Sequence, residues 1–328
     1  MIQYTETIDE SSYNAVRELV QKQIPGRQNL SAEEYKKALE GSTYVVLAYD
    51  GETPVGVARV ISDGLEWTLL TDLAVESAYQ KRGVGSELVK HVLEHFRGHE
   101  IFTYTYSDTL DFYESLGFER SKNAFTYGGF EGEYLTDLPE AEFYLPLGYR
   151  YETEFYPFAG DFPVGRKSGL DLSKAEVRYT TDASNLDYEA INALLSKAFG
   201  GNKDLNVTKA AFENSRYYAF AYVGDALAGC ARAVSDGVSQ ALILNVAVDP
   251  DYQGLHIGQQ VVDLLAEQMK GQNLYLNTHP GGVGFYNRRP YYRNKTALLY
   301  PAHPDMPEEI AKGFVLPKGY RFEDELGR

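Results

Sequence analysis

The chain has one cysteine, Cys230, so it can form no internal disulfide. A lone thiol in an apolar stretch reads as a small buried hydrophobe in a reducing compartment. Histidine is scarce too, with 6 residues scattered along the chain, and no Cys/His cluster has ligand spacing, so no metal site is expected. No apolar run approaches the ~20 residues of a membrane-spanning helix. The start, Met1-Ile-Gln-Tyr-Thr-Glu, lacks the basic and apolar segments of a signal peptide. Together these absences predict a soluble, cytoplasmic protein with no membrane partner. Basic residues are in deficit: 31 Lys and Arg against 47 Asp and Glu leave a formal charge of −16. Nucleic acid is excluded as a partner, because that affinity rests on clustered cations. An acidic field draws cations instead, amines among them.

Apolar residues make up 44% of the 328, enough for two ordinary cores, and the chain carries 27 tyrosines and 30 glycines. The glycines concentrate attention on Leu73-Ala-Val-Glu-Ser-Ala-Tyr-Gln80-Lys-Arg82-Gly83-Val-Gly85-Ser86, which reads as a strand end, a loop and a helix start. The helix that follows has apolar residues at Leu88, Val89, Val92, Leu93 and Phe96, so one face packs on a sheet and anchors the loop. A helix starting there aims unpaired N–H groups and its positive dipole end at one spot, which suits an anion. Gly83 and Gly85 let the backbone approach it closely.

The pattern is written twice. Gly56, Arg59, Gln80, Gly83, Gly85 and Tyr113 stand 173 positions before Gly229, Arg232, Gln253, His256, Gly258 and Tyr286, and Asp63-Gly64 answers Asp236-Gly237 at the same offset. A constant offset across several loops marks an internal duplication. Toward the ends Leu145-Pro-Leu-Gly-Tyr-Arg150 answers Leu316-Pro-Lys-Gly-Tyr-Arg321. Each tail is a candidate last strand, paired in its own half or across to the other. The duplication places one domain at 1–157, a Pro- and Gly-rich linker at 158–174 and a second domain at 175–328. Two such halves allow a monomer with pseudo-dimeric halves or a homodimer.

Within each half the order of elements predicts an α/β fold with a mixed sheet. A strand at 2–7 leads to a helix from Ser11 or Ser12 to about Ile24, and Ser31-Ala-Glu-Glu34 is a capping box for a second helix. Tyr44–Tyr49, Val55–Ile61 and Trp67–Val75 read as antiparallel strands joined at Asp50-Gly51 and Asp63-Gly64. After the loop helix comes a strand from Ile101 to Tyr106, parallel to the strand before the loop because a helix crosses between them. The second half repeats the series: a strand at 177–181, helices near 186–199 and 208–214, hairpins from Tyr217 to Val248, a helix at 257–270 and a strand ending at Thr278.

The motif Gln80-x-x-Gly83-x-Gly85, preceded by Leu73-Ala-Val75 and followed by Phe112-Tyr113-Glu-Ser-Leu-Gly117-Phe118, resembles the GCN5-related N-acetyltransferases, and the duplication extends the resemblance over nearly the whole chain. The resemblance implies two tandem domains of that family, acetyl-coenzyme A as the cofactor and an acceptor amine, small-molecule or peptide, that takes the acetyl group directly; the acidic charge suits a cationic one. It implies a diphosphate site at Gln80, Lys81, Arg82, Gly83, Val84, Gly85 and Ser86, and pantetheine contacts along the backbone of Leu73, Ala74 and Val75 where two strands splay. In the second half the matching cofactor residues are Val246, Val248, Gln253 and Gly258. Tyr113 matches the family's tyrosine that protonates the departing thiolate, and Tyr286 reproduces it. The amine must first lose a proton, and Asp72 is the best-placed candidate base, with a structural hydrogen-bond acceptor as the other reading; its counterpart Asn245 cannot act as one. Tyr106 and His279 stand where the family often has a cofactor-contacting asparagine.

The second half departs at His256 for Gly83 and Leu255 for Arg82, which predicts weaker diphosphate binding through a Cβ in a left-handed position and a lost cation. The first half is therefore expected to carry the chemistry. The competing expectation is a non-catalytic protein that binds and senses acyl-coenzyme A.

Overall fold

The computed structural model describes residues 1–127, 143–145, 149, 175–287, 290–302, 311–317 and 320. The segment 158–174, expected as a linker, lies outside the described residues.

The first half runs β1 (Gln3–Thr5), α1 (Tyr13–Gln23), α2 (Ala32–Glu40), β2 (Tyr44–Asp50), β3 (Thr53–Ser62), β4 (Trp67–Val75), α3 (Val84–His95), β5 (Glu100–Tyr104), α4 (Leu110–Ser115), β6 (Glu119–Arg120) and β7 (Ala124–Tyr127). The second half runs β8 (Val177–Thr180), α5 (Tyr188–Phe199), α6 (Leu205–Glu213), β9 (Tyr217–Val223), β10 (Ala226–Ser235), β11 (Gln240–Val248), α7 (Ile257–Glu267), β12 (Asn273–Asn277), α8 (Val283–Tyr286), β13 (Tyr291–Arg293) and β14 (Ala297–Tyr300). Local chemistry accounts for the starts of the helices. The Ser31 hydroxyl accepts from the Glu34 N–H and the Glu34 carboxylate accepts from the Ser31 N–H, closing the capping box at α2. Asp204 caps α6 through the N–H groups of Asn206 and Val207, so that helix begins three residues before the apolar pattern suggests.

Among the described residues two mixed sheets of seven strands result, in the orders β1-β2-β3-β4-β5-β14-β6 and β8-β9-β10-β11-β12-β7-β13. Their memberships cross. β14, from the second half, lies between β5 and β6, with Ala297 opposite Tyr104 and Leu298 opposite Arg120. β7, from the first half, lies between β12 and β13, with Phe125 opposite both Leu276 and Arg293. Each half thus donates a strand to the other. Of the Leu-Pro tails, residues 146–148, 150, 318, 319 and 321 lie outside the described residues. The residues just before them make single bridges across the halves, Tyr144 to Asn294 and Val315 to Ser121, and Leu145 and Leu316 pack in one cluster with Tyr149 and Tyr320.

The face shared by the sheets is apolar: Ile61, Leu69 and Phe102 pack with Val234, Leu242, Leu244 and Leu299. Set into it are two ion pairs related by the 173-residue offset. Arg59 Nη1 donates to Asp236 Oδ2 at 2.6 Å, and Arg232 Nη2 donates to Asp63 Oδ2 at 2.8 Å. All four side chains are buried. Among the described residues no helix is long and apolar enough to cross a membrane.

Candidate active site

β4 and β5 are parallel for four residue pairs only, from Trp67–Glu100 to Leu70–Thr103. On its other edge β4 pairs with β3 through Leu70–Val60 and then Leu73–Ala58, so that Thr71 and Asp72 stand against Arg59 alone. Two residues facing one make a β-bulge, which bends the strand. The bend carries β4 away from β5. Beyond it Leu73, Ala74 and Val75 pair with Ala58, Val57 and Gly56, and their edge toward β5 stays open. The second half has the same break after Leu242–Tyr275 and Ile243–Leu276, with Asn245 and Val246 in its bulge and Val248 paired to Gly229 beyond it.

A cavity of about 260 Å³ fills the gap between the splayed strands. Thr71 and Leu73 form one wall, Thr105 and Tyr106 the other, and Phe112 and Tyr113 of α4 close one end. Pro25 and Arg27, from the connection between α1 and α2, cover the cavity. Part of the lining comes from the second half, through Gln240, Asn273, Tyr275 and Thr296.

Tyr113 is 5% exposed. Burial pushes its phenol up to about 12, against the opposing effect of hydrogen bonds with the Thr103 and Thr105 hydroxyls. The group is therefore a protonated donor at neutral pH, positioned by two hydroxyls of β5 and the residue after it.

The glycine loop closes onto α3 with Gly83 at φ +85°, and Lys81 is also left-handed at φ +56°. Lys81, Arg82 and Gly83 are exposed, and the first N–H groups of α3, at Val84, Gly85 and Ser86, point outward from the helix end without helical acceptors. Gly56 explains how close α3 sits to the sheet, since a Cβ there would come 2.9 Å from Leu88 and 3.2 Å from Val84. Gln80 Nε2 donates to the Val75 carbonyl at 3.0 Å and ties the loop to the end of β4. Arg82 lies over the Tyr79 ring at 5.0 Å, with Nη1 donating to the Ala78 carbonyl. These features fit a diphosphate: an exposed helix start, a backbone free of side chains at Gly83 and two nearby cations.

In the second half His256 caps α7 at φ +59° and Gly254 is at φ +89°. The two left-handed sites are therefore the same in both loops, and each loop has one glycine and one L-residue on them: Lys81 with Gly83, Gly254 with His256. The replacement of Gly83 by His256 moves the conformational cost rather than adding one. Gly258 sits in the first turn of α7 against Phe285, with Gln253 in the loop before it. Tyr286 is buried among Phe285, Tyr291 and Phe125, and burial raises its phenol.

Residues 13–118 and 188–289 match the Acetyltransferase (GNAT) family, well over half the chain in two regions. The chain belongs to that family. Among curated relatives, a rice serotonin N-acetyltransferase 2 (Oryza sativa subsp. japonica, chloroplastic) is 30% identical over 111 residues, 32% of this chain and 56% of that protein. GCN5-related N-acetyltransferase 1 of Arabidopsis thaliana, also chloroplastic, is 44% identical over 59 residues, 17% of this chain and 30% of that protein. The chain thus spans about half or less of these relatives' lengths. Among solved structures, a GCN5-related N-acetyltransferase of Sphaerobacter thermophilus aligns over 91% of this chain and 94% of its own, at TM-score 0.52 and 15% identity. A tandem GNAT protein from the clavulanic acid biosynthesis pathway aligns over 93% and 99%, at TM-score 0.51 and 15% identity. These two share the two-unit fold.

Against the GNAT expectations, the structure brings Leu73 and Tyr113 to one cavity and leaves the glycine loop on the surface beyond it. Asp72 has both oxygens occupied: Oδ1 accepts from Arg27 Nε at 2.8 Å and Oδ2 from Arg59 Nε at 2.8 Å. Although burial opposes it, the two guanidiniums hold its carboxyl down at about 2. Both oxygens are committed to guanidiniums, and of the two readings the structural acceptor is the one the geometry favours. His279 Nδ1 accepts from the Gly281 N–H and its ring packs on Phe314, a capping arrangement. Tyr106, at the matching place, donates to the Pro25 carbonyl and ties β5 to the cover of the cavity. Sequence reasoning missed Arg27 and the whole contribution of the second half. One signal was available for Arg27: position 72 is Asp in one copy and Asn in the other.

Proposed function

We propose that the first GNAT unit transfers an acetyl group from acetyl-coenzyme A to the primary amine of a small acceptor held in the cavity between β4 and β5. The observation that carries this reading is the convergence of the open edge at Leu73 and the buried phenol of Tyr113 on one cavity. When bound, acetyl-coenzyme A supplies a thioester whose acetyl carbon takes the new C–N bond as its C–S bond breaks. Gln80 through Ser86 hold the diphosphate with backbone N–H groups and the Lys81 and Arg82 cations. Leu73, Ala74 and Val75 hold the pantetheine through their unpaired strand edge. Tyr113 Oη gives its proton to the leaving sulfur and is reprotonated from solvent, with Thr103 and Thr105 keeping it in place. Holding the two reactants together supplies a large part of the rate, on the order of 7–11 kcal/mol where the alignment is good.

No residue is assigned as base. Among the described residues no Asp or Glu lines the cavity, so an incoming ammonium meets no counter-charge from them, and burial beside Arg27 favours its neutral form. The proton goes to water. The same absence removes the support for a strongly cationic acceptor that overall charge had suggested.

The second half serves this site as a wall. Among the described residues both halves of one chain line the cavity, which is compatible with a monomer. Release of free thiol from acetyl-coenzyme A on addition of amines tests the reading. Tyr113→Phe should lower kcat by about 10²–10⁴-fold with acetyl-coenzyme A affinity unchanged. If affinity is normal and no amine raises thiol release, the protein is an acyl-coenzyme A binder and the enzymatic reading falls.

A further inference from the structure

Among the described residues Arg27 is the single charged residue that lines the cavity. Its side chain is 11% exposed. Nε donates to Asp72 and Nη2 to the Thr71 hydroxyl at 3.4 Å, which leaves Nη1 without an acceptor among the described residues. Tyr275 of the second half also lines the cavity, within electrostatic reach of Arg27, and its hydroxyl makes no hydrogen bond among the described residues.

The duplication supplies an internal control for what Asp72 does. In the second half Arg232 occupies the place of Arg59, and its Nε donates to Asn245 Oδ1. The connection between α5 and α6 reads Gly200-Gly-Asn-Lys-Asp204, with no arginine. A neutral amide is enough to hold the matching guanidinium and the bulge there. The negative charge at Asp72 is therefore not needed to hold that guanidinium or the bulge, and matches the presence of a second guanidinium. Asp72 holds Arg27 by its Nε, on a residue that lines the cavity and whose Nη1 has no acceptor among the described residues.

On the reading that this cavity is the acceptor site, we infer that the acceptor is a small amine bearing a carboxylate, which Arg27 binds with Tyr275, while an apolar body lies among Tyr104, Phe112 and Tyr144. An anion beside a half-committed guanidinium gains charge-assisted hydrogen bonds in a site of low dielectric. A second ammonium there would be buried beside a cation with no counter-charge. Arg27 is a specificity residue in this scheme, and Asp72 a positioning residue.

Phenylalanine and tryptophan, set against phenethylamine and tryptamine, test the carboxylate with the body held constant, and spermidine tests a polycation. Acetylation is followed by thiol release, binding by calorimetry with and without acetyl-coenzyme A. The carboxylated members should show kcat/KM at least 10-fold above their decarboxylated partners. Arg27→Gln should raise their KM by about 10–100-fold and abolish the preference, leaving acetyl-coenzyme A affinity unchanged. Should Arg27→Gln fold poorly with Asp72 left half-paired, the double variant Arg27→Gln/Asp72→Asn reproduces the set of the second half and should lose the preference too. Higher turnover of the decarboxylated amines or of spermidine overturns the inference, as does a carboxylate preference that survives either variant. Normal acetyl-coenzyme A binding with no acetylation or binding of the carboxylated pair sinks the acceptor class alone. Absence of acetyl-coenzyme A binding sinks the underlying reading and the inference with it.

Discussion

Arg59 and Asp236, 177 positions apart, meet at 2.6 Å across the two halves with neither side chain exposed. Asp236 also accepts from the Val238, Ser239 and Gln240 N–H groups, so the same carboxylate shapes the β10–β11 turn and receives the other half's guanidinium. Arg232 and Asp63 repeat the arrangement in reverse. Arg59 in addition holds Asp72, and so joins the interface of the halves to the bulge that opens the cavity.

Arg59→Ala should be more damaging than most single changes. It leaves Asp72 with Arg27 alone and Asp236 with its turn donors but no cation, and breaking a buried pair in this way costs about 3–5 kcal/mol. Urea unfolding of the variant against the parent measures it. A loss under about 1 kcal/mol would mean that water reaches these carboxylates.

The same network predicts acid sensitivity. Asp72 is held at about 2, and Asp63 and Asp236 are also below the ordinary value through their arginines, with burial opposing. A folded pKa below the unfolded ~3.9 gives stability that is complete above pH ~4 and drains away as pH falls toward 2. For Asp72 the contribution is on the order of 2 kcal/mol. Circular dichroism along a pH titration should show unfolding begin below pH ~4, and Asp72→Asn should flatten the fall. Loss of structure starting near pH 6 would point to histidines instead.

Strand exchange makes the halves interdependent. Residues 1–157 alone lack β14 and leave β5 and β6 unjoined, while residues 175–328 alone lack β7 between β12 and β13. Each half produced separately should be insoluble or associate through its open edges. Co-expression should restore a one-to-one complex on size exclusion with light scattering. A well-folded monomeric half would contradict the exchange.

The loops offer a matched pair of substitutions. A left-handed L-residue costs roughly 1–2 kcal/mol, of which glycine's extra freedom in the unfolded chain offsets part. His256→Gly should therefore stabilise by about 0.5–1 kcal/mol, and Gly83→His should destabilise by a similar amount and lower acetyl-coenzyme A affinity. Calorimetric melting and titration follow both. No change in affinity with Gly83→His would remove the loop from the cofactor site.

Much of the fold could be read from residues near one another in the chain. The Ser31–Glu34 box, the Asp-Gly turns and the apolar face of Leu88, Val89 and Val92 rest on local chemistry, and each stands where expected. The conformation at Gly83 is of the same kind. His256 shows the limit of such reading: its left-handed backbone follows from the loop's shape, which the surrounding strand and helix impose whatever residue stands there. Asp72 shows another, since a carboxylate beside a strand end looks like a base until two guanidiniums arrive from 13 and 45 positions away.

The order of residues by itself determined that one unit occurs twice, that each unit alternates strands and helices in a fixed series, and that a glycine turn precedes an amphipathic helix. Those properties depend on periodicity and on backbone preferences that act over a few residues. Tertiary structure alone decided that β7 and β14 change places, that Arg59 reaches Asp236, and that Arg27 and Tyr275 face one cavity. Nothing in local preference distinguishes a strand that pairs at home from one that pairs across the pseudo-dimer, because both satisfy the same hydrogen bonds. The choice rests on which edge lies within reach once both cores have packed.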